Sequence, residues 1–408
     1  MATKKSSTTK KKATTTKKKA TTTKKKSTTK KVKKAVAGLP PLAKTIIAVV
    51  CFVLIATFIL VCYFRPDIYK KLLNLFEPQE ESFVTRVEGD DVYVNELKDL
   101  KVHFVDVGQG DSIVISLPDS TTMLIDAFND AELLDYLKNT LNLKTIDYLI
   151  ATHSDADHIG AMDAIFNNFE VKKVYRPYVE YTGESNFENN FNVGSKEVKT
   201  DVYRDFLDLL SKETYVDGSE TKNCEWEFFN YNSDFSRNIH YNDSVYTYTF
   251  DFLTPTVAIE DIEYDDVNSY SPIIKFSYCD TDILFTGDAE KETLEEFLNK
   301  YVSSQDKQYL DVDVLKLGHH GSKTSTTEQL LQLIKPEHAI ASCGAGNKYG
   351  HPHQEVLDLL LNYNDNSDVA LYRTDLNGNI VLNVSTTGYN FILENSNVLP
   401  TDMYLAPA

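Results

Sequence analysis

A nine-residue stretch that begins at Thr152, Thr-His-Ser-Asp-Ala-Asp-His-Ile-Gly, constrains the fold of this chain more than any other. It directly follows the apolar run 148–151, which has the length and composition of a buried strand. Carboxylates that meet at one buried point repel one another and lose hydration, so they need a positive charge between them. The stretch therefore predicts a divalent metal site at a strand end. The side chains concerned are His153, Asp155, Asp157 and His158.

The histidines are also clustered along the sequence, since six of the nine lie in three short clusters that each follow a predicted strand. The clusters are His153 with His158, His319 with His320, and His351 with His353. A single buried histidine is more often a hydrogen-bonded core residue than a ligand. Clusters at several strand ends favour ligands, because side chains from different strands can converge on one ion.

Carboxylate and imidazole ligands together suit zinc, manganese or iron, and they disfavour the thiolate sites of structural zinc. More than one ion fits the pattern, because His153 and Asp155 can face one metal while Asp157 and His158 face another. Asp288, at the end of a predicted strand, is either a carboxylate that bridges two ions or a helix N-cap. Two ions about 3.5–4 Å apart would activate a water and stabilise both the attacking and the leaving oxygen of a phosphoryl or acyl transfer.

The first 44 residues differ in composition from the rest of the chain. They hold 16 lysines and no acidic residue, so the formal net charge of −18 leaves −34 for residues 45–408. A seven-residue Lys/Thr repeat runs through them without the apolar positions of a coiled coil. We expect a disordered cytoplasmic tail (1–44) that contacts anionic lipid or, alternatively, cytoplasmic nucleic acid. The acidic remainder argues against a surface that captures nucleic acid by overall charge.

Residues 45–64 carry no charge and are long enough to cross a bilayer as one helix. No small-residue cleavage site follows them, which favours an uncleaved anchor over a signal peptide. The lysines on the N-terminal side predict a single-pass protein of the cell membrane, with its N-terminus in the cytoplasm and the remainder outside. Residues 65–98 are mixed and polar and are predicted to form a stalk.

From residue 99 to 398, strand-like and helix-like segments alternate, and they predict an α/β domain with two sheets covered outside by helices. Residues 178–248 are rich in Asn, Tyr, Phe and acidic residues and are predicted to be an insertion beside the core. Residues 399–408 form a C-terminal tail. The three cysteines outside the apolar anchor are scattered, so they indicate neither a disulfide framework nor a Cys-x-x-Cys zinc site.

The aspartate- and histidine-rich stretch also resembles a known signature. His153-Ser-Asp155-Ala-Asp157-His158 is similar to the His-x-His-x-Asp-His motif of the metallo-β-lactamase superfamily, with Asp155 where the second histidine usually stands. Five further segments between Val102 and Asn383 make the chain resemble the hydrolase domain of the ComEC/Rec2 competence proteins and their stand-alone relatives. They are 105–111 (Val-Asp-Val-Gly-Gln-Gly-Asp), 286–288 (Thr-Gly-Asp), 319–322 (His-His-Gly-Ser), 348–352 (Lys-Tyr-Gly-His-Pro) and 373–378 (Arg-Thr-Asp-Leu-Asn-Gly).

The resemblance implies an αββα four-layer sandwich with two divalent metal ions, zinc or manganese, with iron also possible. It implies that His153 and Asp155 serve one metal, and that Asp157, His158 and His320 serve the other. It makes Asp288 the bridging carboxylate.

The same resemblance assigns roles around the ligands. Asp126 would support the site from behind the ligands and Asp111 would orient its glycine-containing loop. Catalytic roles fall to Asp157, to His319 as a substrate-facing or acid residue, and to Lys323, which with His319 would stabilise developing charge. Further residues are expected near the ligands or the substrate: Ser322, His351, His353 and Asn268.

One departure concerns the first metal. Many superfamily members supply a third histidine before the bridging aspartate, but His240 is the only histidine in that interval and lies in the predicted insertion. Asn268, water or substrate would then complete the first metal's coordination. For His351 and His353 the alternative to substrate binding is structural, because Pro352 marks a helix start.

These features predict a membrane-anchored, metal-dependent hydrolase that acts outside the cytoplasm on a phosphodiester, possibly DNA, with a metal-bound hydroxide as nucleophile. One alternative is a hydrolase of a small phosphoester such as phosphocholine, or of an amide or lactone. Another is a tethered binding protein without enzymatic activity, in which metals are structural. The sequence leaves the oligomeric state open.

Overall fold

The computed structural model of the protein describes residues 89–184, 191–302, 307–363, 369–398 and 400–406. The predicted lysine-rich tail, the predicted membrane helix and all but the end of the predicted stalk lie outside these residues. Across the described residues, no helix combines the length and apolar character needed to span a bilayer.

The strands of the described residues form two eight-stranded sheets and two small two-stranded ones. In chain order they are β1 (Asp90–Tyr93), β2 (Leu100–Phe104), β3 (Ile113–Ser116), β4 (Thr122–Ile125), β5 (Thr145–Ile150), β6 (Glu170–Arg176), β7 (Val179–Tyr181), β8 (Lys196–Val198), β9 (Thr214–Asp217), β10 (Glu220–Asn223), β11 (Glu225–Phe228), β12 (Phe235–Tyr241), β13 (Ser244–Phe252), β14 (Ile274–Tyr278), β15 (Thr281–Phe285), β16 (Val314–Lys316), β17 (His338–Ala341), β18 (Ala370–Arg373), β19 (Ile380–Ser385) and β20 (Gly388–Leu393).

Helices connect many of these strands. The α-helices are α1 (Asp130–Asp135), α2 (Ala156–Ile159), α3 (Met162–Asn168), α4 (Asp201–Leu210), α5 (Lys291–Tyr301), α6 (Glu328–Ile334), α7 (Gln354–Leu361) and α8 (Thr374–Asn377). α1 continues directly into a π-helical turn, Tyr136–Thr140, and Gly160 and Ala161 separate α2 from α3.

The first large sheet has the order β1-β12-β13-β14-β15-β16-β17-β18, and the second has the order β11-β6-β5-β4-β3-β2-β19-β20. A shared apolar core joins their inner faces, with Phe104 of the second sheet 6.4 Å from Phe285 of the first between ring centroids. Because side chains alternate along a strand, the other faces carry separate apolar surfaces.

Helices cover those outer faces. Leu133, Ile165 and Phe206, from α1, α3 and α4, pack with outward residues of the second sheet such as Leu149. Leu294, Leu331 and Leu357, from α5, α6 and α7, pack with outward residues of the first sheet such as Leu315. Helices, sheet, sheet and helices therefore follow one another, as the sequence predicted.

Residues 178–248 do not simply lie beside this sandwich. β11 pairs in parallel with β6 at the edge of the second sheet, and β12 and β13 are strands of the first sheet. The buried guanidinium of Arg176 lies over the rings of Trp226 and Phe228, at 4.6 and 4.3 Å, and connects β6 to β11. The segment predicted as an insertion thus supplies strands to both sheets. Periodicity missed this because many side chains of these strands are only partly buried, so they lack a clear apolar alternation.

Both ends of the described domain also pack against it. β1 belongs to the predicted stalk, yet it forms the parallel edge strand next to β12. In the predicted C-terminal tail, Pro400–Tyr404 forms a short 3-10 helix in which Met403 is buried. The Arg373 guanidinium donates a hydrogen bond of 3.1 Å to the Met403 carbonyl.

Strand direction determines where functional groups meet. β4, β5 and β6 run parallel in the second sheet, and β15, β16, β17 and β18 run parallel in the first. Ligands in α/β proteins bind outside the carboxyl ends of such strands. The segments that follow β4, β5, β15, β16 and β17 contain most of the residues singled out from the sequence.

Candidate metal centre

His158 lies at the middle of a buried chain of polar contacts. Its Nδ1 is 2.7 Å from Oδ2 of Asp126, and its Nε2 is 3.1 Å from Oδ1 of Asp288. Burial would lower the pKa of His158, but Asp288 and Asp126 raise it well above the usual value. The second sheet supplies His158 and Asp126, and the first sheet supplies Asp288, so the contacts cross the sandwich.

Asp126 is held in turn by Thr152. The Thr152 backbone N–H donates to Asp126 Oδ1 at 2.8 Å, and its hydroxyl donates to Oδ2 at 2.7 Å. Burial raises the pKa of Asp126, against the lowering effect of His158 and Thr152. Asp126 thus contacts a histidine's outer nitrogen, as expected for a carboxylate that fixes a ligand from behind.

The turn after β15 fixes Asp288. Gly287 adopts φ +47°, and the Asp288 backbone N–H donates to Ser271 Oγ at 3.1 Å. Asp288 does not cap α5, which begins three residues later with Glu290 as its N-cap residue. Of the two interpretations left open for Asp288, the structure therefore disfavours the N-cap.

His319 and His320 both adopt left-handed backbone conformations, with φ of 48° and 56°. Such conformations are strained for residues other than glycine and are concentrated at functional sites. His320 is buried and directs Nδ1 to the Ser342 carbonyl at 2.9 Å, so Nε2 faces Asp157 and Asp288 at 3.5 and 3.7 Å. Despite a burial penalty, Asp288 and Asp111 raise the pKa of His320 to about 9.

His319 is the accessible member of the pair. Its Nδ1 lies 2.8 Å from Oε1 of Glu290, and its Nε2 lies 3.7 Å from Oδ2 of Asp288. Burial would lower its pKa, but Glu290 and then Asp288 raise it. A hydrogen bond at Nδ1 leaves Nε2 free to face a substrate.

Several buried nitrogen and oxygen atoms that could bind a metal have no hydrogen-bond partner in this region. They are Nε2 of His153, His158 and His320, and one carboxylate oxygen each of Asp111 and Asp288. His158 Nε2 and Asp288 Oδ1 are only 3.1 Å apart, yet the contact lacks hydrogen-bond geometry. Unpaired buried polar atoms are costly unless an ion or water satisfies them.

The ligand atoms of Asp111, His158, Asp288 and His320 all lie within 4.8 Å of one another. Hard carboxylate oxygens and imidazole nitrogens suit zinc, manganese or iron. The residues therefore fit a divalent cation, and Asp157, half-buried beside His320, can join them.

The other predicted metal position is less complete. His153 is buried, and its ring centroid is 4.2 Å from that of His158. Asp155 is exposed at the start of α2, where its side chain makes no capping hydrogen bond. Ser271 Oγ, rather than Asn268, contacts His153, at 3.2 Å from Nδ1, and the Asn268 carbonyl instead accepts the Ser271 N–H.

Asp111 contacts a lysine that the sequence did not single out. Lys316 Nζ is 2.8 Å from Asp111 Oδ2, and both side chains are buried. Burial would raise the pKa of Asp111, but Lys316 and then His320 bring it below the usual range. Asp111 also fixes its loop, because its backbone N–H donates to the Asp157 carbonyl at 3.1 Å.

The remaining predicted residues divide between the site and the surface. The buried His351 ring lies 5.2 Å from His319 between centroids, and its Nδ1 has no partner. His353 precedes α7 and accepts the Lys323 backbone N–H at Nδ1, and Ser322 pairs its hydroxyl with Thr324. The Lys323 ammonium is exposed and pairs with Glu355 at 2.8 Å, which does not support its predicted role beside His319.

Four contributing residues were missed from the sequence: Thr152, Ser271, Glu290 and Lys316. Lys316 did carry a signal, because it lies within the apolar strand Val-Leu-Lys-Leu and lysine is almost never fully buried unless paired. Thr152 begins the aspartate- and histidine-rich stretch, but nothing in the sequence assigns it a role, and Ser271 and Glu290 carry no distinct local pattern.

Comparisons with known proteins agree with this geometry. Residues 105–225 match the metallo-beta-lactamase superfamily. ComE operon protein 3 of Bacillus subtilis (strain 168) is 27% identical over 303 residues, covering 69% of this chain and 32% of that protein. Recombination protein 2 of Haemophilus influenzae is 25% identical over 291 residues, covering 69% and 29%. The chain thus spans about a third of the length of these relatives.

A similar solved structure is the metallo-beta-lactamase fold protein YhfI from Bacillus subtilis, with a TM-score of 0.37 and 10% identity over 70% of this chain and all of that one. The superfamily match and the buried aspartate–histidine site together define a metal-dependent hydrolase domain of the metallo-β-lactamase superfamily. More narrowly, the domain is similar to competence and recombination proteins of the ComEC/Rec2 type.

Proposed function

We propose that the chain is a membrane-anchored phosphodiesterase whose hydrolase domain acts outside the cytoplasm, with nucleic acid as its substrate. One observation carries the hydrolytic part: buried imidazole and carboxylate atoms from both sheets converge without hydrogen-bond partners. Divalent ions held there would supply Lewis acidity and an activated water. The nucleic-acid part is supported by similarity to a recombination protein and to a competence protein.

The chain's own residues have separable tasks in this proposal. Asp126 and Ser342 hold the outer nitrogens of His158 and His320, so both Nε2 atoms face inward. Asp157, half-buried beside His320, would orient the attacking water and accept its proton. These arrangements are preorganised, which is the main protein contribution to such chemistry.

His319 would act on the leaving group. Glu290 binds its Nδ1 and so directs Nε2 toward the open side of the site. A protonated Nε2 can donate a proton to the departing oxygen or stabilise charge on the phosphoryl oxygens. The raised pKa of His319 favours the protonated ring near neutral pH, although a cation bound at Asp288 would act in the opposite direction.

A hydrolase of a small phosphoester is the second candidate, and the charge of the chain favours it. Residues 45–408 carry a formal charge of −34, which repels a long polyanion more than a small phosphoester. Membrane attachment rests on the uncharged run 45–64, and the outside location rests on the lysines before it.

The deciding experiment compares substrates and variants of the purified full-length chain. Single-stranded DNA and bis-p-nitrophenyl phosphate would be supplied with manganese or zinc. We expect metal-dependent cleavage of both, and its loss in Asp157→Ala/His158→Ala. His240→Ala is the matched control, since His240 stacks on Tyr93 and pairs with Asp91 in the first sheet.

Each negative result has a defined meaning. Cleavage of the small diester without cleavage of DNA under any metal would refute the nuclease and leave the small-phosphoester hydrolase. Absence of metal-dependent cleavage of both substrates would refute the phosphodiesterase. Protease digestion of intact cells tests topology, because we expect the hydrolase domain to be cut from outside.

A further inference from the structure

Lys316 is one of two buried lysines among the described residues, and it lies at the candidate metal centre. It ends β16, three residues before His319, and its side chain is fully buried. Nζ contacts Asp111 Oδ2 at 2.8 Å and donates to the Leu317 carbonyl at 2.9 Å. A buried ammonium is stable only when paired in this way.

Asp111 is therefore shared between a fixed cation and the ligand cluster. One carboxylate oxygen contacts Lys316, while the other lies 3.5 Å from His320 Nδ1. His320 Nδ1 is its outer nitrogen, and Nε2 is the atom that faces Asp157 and Asp288. The Asp111 carboxylate thus lies between the Lys316 ammonium and the candidate ligand cluster, with one of its oxygens within 4.8 Å of the ligand atoms of His158, Asp288 and His320.

We propose that Lys316 is a built-in counter-charge that satisfies the Asp111 carboxylate and so keeps it out of the metal coordination shell. Asp157, His158, Asp288 and His320 then hold the ion, with two carboxylates for a divalent charge. This inference rests on the metal-dependent function proposed above.

Removal of the Lys316 ammonium should change metal affinity in a defined direction. In Lys316→Met, Asp111 becomes an unpaired buried carboxylate whose oxygen is within 4.8 Å of the ligand atoms of His158, Asp288 and His320. A divalent ion would then replace the lysine as its partner. The variant should bind manganese or zinc more tightly than the wild type, and its metal-free form should be the less stable one.

Lys275 offers a matched control, because it is also buried and pairs with Asp282 at 2.8 Å, on β14 and β15 and outside the ligand cluster. Lys275→Met removes a comparable ion pair. It should lower the melting temperature equally with and without metal and leave metal affinity unchanged.

The experiment measures metal affinity by titration calorimetry and melting temperature with and without manganese, on the full-length chain. For Lys316→Met we expect affinity to rise tenfold or more, and metal to recover most of the lost melting temperature. Unchanged or weaker affinity, or a loss of melting temperature that metal does not recover, would overturn the proposal.

A second variant tests the proposal even if Lys316→Met does not fold. Asp111→Asn/Lys316→Met replaces the ion pair with neutral groups and retains the Ser342 contact of His320. Metal affinity should stay within tenfold of the wild type, since neither residue is a ligand. A larger loss would make Asp111 a ligand and refute the proposal. Failure of the wild type to bind metal would refute the proposed function itself.

Discussion

Asp126 and His158 form a 2.7 Å contact at the back of the metal centre, where Asp126 also accepts two hydrogen bonds from Thr152. In Asp126→Asn the amide group would face these donors with one acceptor oxygen and two N–H groups of its own. We expect metal affinity to fall by about 10- to 100-fold. Calorimetric titration with manganese or zinc measures this.

Asp147→Asn is the control for that change, because Asp147 accepts a backbone N–H from Thr122 and pairs with Lys172 outside the site. It should leave metal affinity unchanged. Equal affinity in both variants and the wild type would show that Asp126 does not orient His158.

Gly287 precedes Asp288 in a left-handed conformation, and a Cβ added there would lie 2.9 Å from Ser271 Cβ and 3.2 Å from Thr152 Cβ. Gly287→Ala should therefore displace Asp288. We expect metal-dependent cleavage to fall at least tenfold, and stability to fall by about 2–4 kcal/mol from backbone strain and overpacking.

Gly218→Ala measures the backbone strain without overpacking, because Gly218 has φ +64° and no atom within 4 Å of the added Cβ. That variant should lose about 1 kcal/mol in urea unfolding and keep full activity. If Gly287→Ala behaves in the same way, the turn does not set the position of Asp288.

Ser271 links the two halves of the site, since its hydroxyl accepts the Asp288 N–H and lies 3.2 Å from His153 Nδ1. Ser271→Ala leaves a buried N–H without an acceptor, at a cost of about 1–3 kcal/mol. We also expect a reduced metal content, measured by mass spectrometry of the purified protein. Ser233→Ala, a buried serine that accepts the Asn230 N–H, should lose stability without losing metal.

Asp234 gives a pH dependence that is independent of the metal centre. Burial raises its pKa to about 7, and nearby Asp251 adds to the shift, although the Phe252 N–H donates to it. Between the unfolded value of 3.8 and about 7, the folded protein retains a proton that the unfolded chain has released. Its contribution therefore favours folding most at low pH and is lost as the pH rises to about 7.

Asp234→Asn removes this titration. We expect the variant to gain about 1–3 kcal/mol relative to the wild type between pH 4 and pH 8, as measured by urea unfolding at both pH values. Asp243→Asn, at the exposed turn between β12 and β13, should reproduce the wild-type dependence. A constant difference between Asp234→Asn and the wild type across this range would contradict the prediction.

Periodicity and motif together anticipated much of the fold. Buried strands such as β5 and β15 have apolar runs of the right length, and the aspartate- and histidine-containing motifs follow them directly. Sequence could not predict contacts such as Ser271 with His153, which are 118 residues apart and depend on how the two sheets pack. It also could not place Lys323, whose proximity to the motif suggested a role but whose ammonium pairs with Glu355 at the surface.

The candidate ligands come from both sheets, and this has a consequence for how the protein matures. His158 follows β5, whereas Asp288 and His320 follow β15 and β16, so an ion held between them would cross-link the two halves of the sandwich. A growing chain cannot assemble the centre until residue 320 has been made and both sheets have met. In the topology proposed here, the ion would therefore be acquired after translocation, from the metal pool outside the membrane.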